Sequence, residues 1–150
     1  MGPSGSGKTT LLSTLSLRLD PSKMDITGEF RLNGRKYSKA ALKAMSAYVM
    51  QDDLLHAELT VQETVLYQAK LRLLHSEKPV AQQEILDRVE DVLALMGITH
   101  VRNVIIGDSV RKGVSGGERK RVCVAIELLN RPKLMFLDEV GLRADVKLFS

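Results

Sequence analysis

Cysteine is almost absent from this 150-residue chain. Cys123 stands alone, which excludes an intrachain disulfide and a multi-cysteine metal site and fits a reducing compartment. Long apolar runs are missing as well. Leu134-Met135-Phe136-Leu137 is typical of the longest, far short of the roughly 18 residues that suggest a membrane span. Polar Gly-Pro-Ser-Gly-Ser-Gly-Lys occupies the place where a secretory signal carries its apolar segment. There are no repeats and no low-complexity tracts. Charge of one sign is not concentrated either: 22 basic residues against 18 acidic leave +4, too mild and too scattered to argue for nucleic acid. What remains is 44% hydrophobic and 27% charged, an ordinary globular composition with enough length for one domain and a sizeable core.

Periodicity predicts a helix over Thr9 to Leu19 with Leu11, Leu12, Leu15 and Leu19 on one stripe, stopped by Asp20-Pro21. Ile26 to Leu32 alternates as a strand does and runs into the turn Asn33-Gly34; Ala47 to Met50 reads as a second, shorter strand. Thr60 and Glu63 form a capping box that opens a helix to about Leu74. A further helix, about Ala81 to Met96, has the stripe Ile85, Leu86, Val89, Val92, Leu93 and Met96, and Gly97 suits its left-handed C′ position. Val104 to Gly107 is a short extended piece. Ser115 and Glu118 make a second capping box, opening a helix through Asn130 with Val122, Ile126 and Leu129 inward. Leu134 to Leu137, uniformly apolar, fits a strand buried on both faces of a parallel sheet. The alternation of strands and helices implies an α/β layered fold, with a largely helical insertion at roughly 55 to 115.

Three elements carry chemistry. Gly2-Pro3-Ser4-Gly5-Ser6-Gly7-Lys8-Thr9 matches G-x-x-x-x-G-K-[ST] at every position. Glycines let consecutive N–H groups converge on phosphate oxygens, and the following helix adds its positive end. Lys8 would place a cation on the β- and γ-phosphates, and the Thr9 hydroxyl would ligate Mg²⁺. A plain Gly/Ser linker is the competing reading, but the helix follows where the mechanism needs it. Asp138-Glu139 ends an apolar strand, where ligands of open α/β sheets bind. Such a pair can serve Mg²⁺ through Asp138 and polarise a water through Glu139; two surface acids ending a strand would look the same. Ser115-Gly116-Gly117-Glu118 puts glycines at a helix N-terminus, a second anion site or simply a well-capped helix.

The phosphate loop, Gln51 after a short strand, Ser115-Gly116-Gly117-Glu118 and Asp138-Glu139, in this order and spacing, resemble the nucleotide-binding domain of an ABC transporter over residues 2 to 139. Tyr48-Val49-Met50-Gln51-Asp52-Asp53 and Leu59-Thr60-Val61-Gln62-Glu63-Thr64 resemble the ABCG, or white-brown complex, subfamily. The resemblance implies a P-loop NTPase fold, a three-layer α/β sheet with an inserted helical subdomain. Residues 1–54 and 116–139 would form the core, 55–115 the helical subdomain and 140–150 a divergent tail. It implies that Gly2 to Thr10 hold the triphosphate of ATP, with Lys8 catalytic. Gln51 would touch Mg²⁺ or water, Asp138 would organise Mg²⁺ and Glu139 would be the general base. Ser115, Gly116, Gly117 and Glu118 would clamp ATP bound on a partner subunit.

The implied partners are a second ATP-binding domain and a transmembrane domain, with no nucleic acid, and the implied function is ATP-driven transport of a hydrophobic or lipid-like compound. The implied location is the cytoplasmic face of a membrane, this chain alone being soluble.

The chain also departs from the family. Only Met1 precedes Gly2, so the strand that feeds the phosphate loop is expected to be missing. Where the family continues Pro-Thr-Ser-Gly-Leu-Asp, Val140-Gly141-Leu142-Arg143-Ala144-Asp145 follows; Asp145 is in register but its neighbours differ. His56, His75 and His100 all precede the second glycine motif, so none replaces the family's later switch histidine. These departures imply a fragment cut at both ends, and with it the alternative of a non-catalytic piece that binds nucleotide or a partner domain without turnover.

Overall fold

The computed structural model describes residues 3, 5–19, 25–50, 55–74 and 80–138. In chain order these form α1 (Lys8–Leu15), β1 (Arg31–Leu32), β2 (Arg35–Lys36), α2 (Lys39–Met45) and β3 (Ser46–Val49). There follow α3 (Val61–Leu73), α4 (Gln82–Leu95), a 3₁₀ turn at Thr99–Val101, α5 (Gly116–Leu128) and β4 (Leu134–Leu137). The described residues divide into two compact units, one made of those up to 50 together with 132–138, the other of those between 55 and 131.

In the first unit β3 and β4 pair in parallel, Ser46 opposite Leu134 and Val49 opposite Leu137. The Lys133 N–H donates to the Met45 carbonyl at 2.8 Å, and the Asp138 N–H to the Val49 carbonyl at 3.3 Å, so the ladder runs one step past each end. Burial on both faces was expected of β4, yet only Phe136 of its four residues is fully buried. The cause is that β3 is its one hydrogen-bonded neighbour among the described residues. The strand expected over Ile26 to Leu32 shrinks to Arg31–Leu32, which pairs antiparallel with Arg35–Lys36. Gly28, at φ 120°, interrupts the extended run, and Asn33 and Gly34 turn the chain with φ of 49° and 76°, as a tight hairpin demands.

α1 ends at Leu15, not Leu19, where Leu17 takes a φ of 53°, and none of its residues is buried; the leucine stripe is therefore not a core face among the described residues. The Tyr37 hydroxyl donates to the Leu15 carbonyl at 2.9 Å, satisfying one carbonyl of the helix end. α2 was not foreseen. Ser38 caps it by accepting from the Ala41 N–H at 3.2 Å, and Leu42, 1% exposed, anchors it.

The second unit is built on α3, α4 and α5, which pack against one another through Val61, Val65, Ala69 and Leu73, through Ile85, Val89, Leu93 and Met96, and through Val122, Ala125 and Leu129. Both capping boxes form as the sequence predicts, Thr60 with Glu63 and Ser115 with Glu118. Gly97 takes a φ of 63°, and the N–H groups of Gly97 and Ile98 donate back to the carbonyls of Ala94 and Leu93, closing α4 with a Schellman motif. The extended piece at Val104 to Gly107 crosses the start of α3 as an isolated bridge between Ile105 and Thr60. α5 packs on α3 and α4. Among the described residues no helix is long and apolar enough to cross a membrane.

Leu86 was expected on the inward stripe of α4 and is 38% exposed, whereas Leu93 is fully buried. Leu93→Ala should therefore cost about 2–5 kcal/mol of unfolding free energy and Leu86→Ala less than about 1 kcal/mol. Urea unfolding of the two variants checks this; equal losses would contradict the helix orientation.

Candidate functional site

The phosphate loop is described at Pro3 and from Gly5 onward; Gly2 and Ser4 lie outside the described residues. Gly5 and Gly7 have φ of 80° and 81°, a left-handed conformation that a side chain would strain. Gly7 is the N-cap of α1, and no side chain caps that helix and no acid lies in its first turn. The N–H of Ser6 donates to the Pro3 carbonyl at 3.3 Å, and the Lys8 ammonium folds back onto the same carbonyl at 2.9 Å. Thr9 and Thr10 occupy the first turn of α1.

The Thr9 hydroxyl donates to Oδ1 of Asp138 at 3.0 Å, so two residues 129 positions apart, both expected at a Mg²⁺ site, are brought together. Asp138 is 3% exposed. Its second oxygen, Oδ2, accepts from the Tyr48 hydroxyl at 3.4 Å. The Tyr48 ring stacks on Phe136 at a centroid distance of 6.2 Å, with the Arg18 guanidinium 4.3 Å from the Tyr48 centroid. Sequence reading had missed Tyr48 as a site residue. Its place depends on the parallel register that sets Tyr48 opposite Phe136, and no local signal encodes a register. Gln51 and Glu139, which follow β3 and β4 in the chain, lie outside the described residues. Among the described residues no three His, Cys, Asp or Glu side chains gather as an all-protein metal cage.

The second glycine motif sits at the start of α5. Ser115 accepts from the Glu118 N–H at 3.3 Å, while Oε2 of Glu118 accepts from the Ser115 N–H at 2.8 Å and from its hydroxyl at 2.7 Å. Gly116 and Gly117 are exposed, and a Cβ on either would meet open space. The hydrogen bonds from Ser115 hold the Glu118 carboxyl below its usual range, and the nearby His100 imidazole, 3.2 Å away, adds to this. The contact of His100 with Glu118 joins residues 18 positions apart and is visible only in three dimensions. Behind the motif, Arg119 donates to the carbonyls of Ile106 and Gly107. A Cβ on Gly113 would lie 2.3 Å from the Ile106 oxygen, and one on Gly107 2.6 Å from the Gly113 backbone, so this crossing requires glycine at both positions.

A model of the ABC transporter family matches residues 1–141. The ABC transporter G family member STR of Medicago truncatula is 42% identical over 139 residues, 93% of this chain and 16% of that protein. ABC transporter G family member 1 of Arabidopsis thaliana is 43% identical over 139 residues, 93% of this chain and 18% of its own length. The chain thus spans less than a fifth of these curated relatives. Among solved structures, cbiO1 from Clostridium perfringens, part of the ABC transporter complex cbiONQ, matches with a TM-score of 0.69 and 26% identity, over 95% of this chain and 54% of that one.

Because the Glu118 carboxyl titrates lower in the folded protein, its contribution to stability is complete above its ordinary value of 4.5 and is lost as pH falls through the lowered value. Glu118→Gln should therefore destabilise the chain at pH 7, with the gap to the parent narrowing on acidification below pH 4.5. Urea titrations at both ends of that range measure it, and a gap independent of pH would refute the assignment.

Proposed function

The chain belongs to the ABC transporter family, as part of its ATP-binding domain, and we propose that it binds and hydrolyses ATP to drive an ABCG-type transporter. One observation supports this reading above the others: the hydroxyl that closes the phosphate loop and the buried carboxylate that ends β4 meet at 3.0 Å. Hydroxyl and carboxylate are hard oxygen donors. Mg²⁺ is typically held by one or two such groups together with substrate phosphates, so this donor set fits the ion. Bound there, Mg²⁺ supplies neutralisation of the charge that develops on the β- and γ-phosphates.

The residues divide the work as follows. Gly2, Ser4, Gly5, Ser6 and Gly7 offer backbone N–H groups to the phosphates, with those of Thr9 and Thr10 at the α1 N-terminus, while Pro3, which has no N–H, fixes the bend of the loop. Lys8 leaves the Pro3 carbonyl to pair with the β- and γ-oxygens. Glu139 accepts a proton from water as the water oxygen bonds to the γ-phosphorus and the bond to the β-phosphate oxygen breaks, releasing ADP. Gln51 orients that water or the ion. Ser115, Gly116, Gly117 and Glu118 close on ATP held by a second ATP-binding domain. Tighter binding of ATP than of ADP to the closed pair then biases an attached transmembrane domain at the cytoplasmic face of a membrane. The substrate class that accompanies this reading is hydrophobic or lipid-like.

Saturating Mg²⁺-ATP at about a hundred times its Kd should add about 2.7 kcal/mol to the stability of the folded chain. Lys8→Ala should abolish that thermal stabilisation; undiminished stabilisation would refute the phosphate loop. With the chain in its full transporter, Glu139→Gln should keep nucleotide binding and lower ATP turnover by roughly 10²-fold or more. Unchanged turnover would remove Glu139 from the mechanism.

A further inference from the structure

A cavity of about 230 Å³ lies in the first unit at the far end of α1 from the phosphate loop. α1 has 8 residues, which separates its two ends by about 12 Å. Three cations line the cavity, Arg18, Lys39 and Lys43, and its lining contains no carboxylate. No ion pair engages any of these three among the described residues. Lys39 and Lys43 are four apart on α2, so they share one face and reinforce each other's field. The floor is aromatic, formed by Phe136 and by the Tyr48 ring over which the Arg18 guanidinium lies at 4.3 Å. Ser16 and Ser46 also line the cavity, and the Ser16 hydroxyl donates to the Ser13 carbonyl at 3.2 Å. The described residues of the surrounding unit are themselves basic, with eight Lys and Arg against three Asp and Glu.

We propose that this cavity binds a phosphate monoester, at a site distinct from the phosphate loop. A monoester carries close to two negative charges at neutral pH and three acceptor oxygens, which suits a planar guanidinium fork beside two mobile ammonium groups. The volume equals that of about eight water molecules, enough for a phosphate and a small ring. The apolar floor would carry the ring, and the cations and hydroxyls the phosphate. The same chemistry is offered by a soluble sugar or cyclitol phosphate and by the headgroup of a phosphorylated lipid.

The test uses the full chain carrying Lys8→Ala, which silences the phosphate loop. Inositol 1,4,5-trisphosphate is titrated calorimetrically, and phosphatidylcholine vesicles with and without phosphatidylinositol 4,5-bisphosphate are used in co-sedimentation. At least one probe should bind, and Lys39→Glu with Lys43→Glu should weaken that binding tenfold or more. An equal charge change elsewhere, Lys70→Glu with Lys112→Glu, should weaken it less than twofold. Binding of the trisphosphate without vesicle binding supports a soluble ligand; preferential binding of the phosphoinositide vesicles supports a lipid headgroup. Lys39→Gln with Lys43→Gln serves if the glutamate pair lowers the thermal midpoint. Failure of both probes to bind, or equal weakening by the two charge reversals, overturns the proposal.

Discussion

Asp138 is 3% exposed, and a carboxyl group that far from water must be met by donors or it destabilises the fold. Both of its oxygens are met, Oδ1 by Thr9 and Oδ2 by Tyr48. Those two contacts tie three elements of the first unit to one carboxyl group. Thr9 arrives on the first turn of α1, so the helix and the loop preceding it are held to the carboxyl end of β4. Tyr48 arrives on β3, one residue from the strand's end, and only the observed parallel register puts it within reach. The same contacts bring together the end of a phosphate loop and an acid, the pairing that a Mg²⁺-dependent reaction of a nucleotide needs.

What the chain discloses before folding is what depends on residues close in sequence. Each capping box spans four residues, Thr60 to Glu63 and Ser115 to Glu118, and both form with every expected hydrogen bond. Gly97 closes α4 for the same reason: its left-handed conformation is a local property. The glycine spacing of the phosphate loop is local as well, and Gly5 and Gly7 take the positive φ that the motif implies. Where the expectation required a neighbour, it failed or fell short. The α1 stripe reads as a core face, but Leu12, Leu15 and Leu19 are only half-buried and Leu11 is exposed, and β4 lacks a second described partner. Leu86 satisfies helical periodicity as well as Val89 does, yet Val89 is buried and Leu86 is 38% exposed. Tyr48, His100 and Arg119 reach their partners across 90, 18 and 12–13 residues, and such contacts leave no periodicity to read.

The two glycine-bearing helix starts differ in a way that bears on their proposed roles. At α1 the N-cap is Gly7 in a left-handed conformation, with no side-chain cap and no acid in the first turn. The first-turn N–H groups of a helix have no acceptor within it, and the N-cap Gly7 has no side chain to cap them, which favours an external anion there. At α5 the protein supplies its own anion. Glu118 accepts from the Ser115 N–H and hydroxyl, while the Ser115 oxygen takes the Glu118 N–H. A phosphate approaching Ser115 must therefore compete with a carboxylate already seated there. Gly116 and Gly117 ease that competition because they leave the outer side of the turn open, with nothing for a Cβ to touch. In the proposed clamp, α1 would be a standing phosphate site, whereas α5 would bind only once a triphosphate is presented with enough charge to share Ser115. On that proposal the pre-capped start would hold α5 folded without nucleotide, and its engagement would be contingent on ATP already held elsewhere.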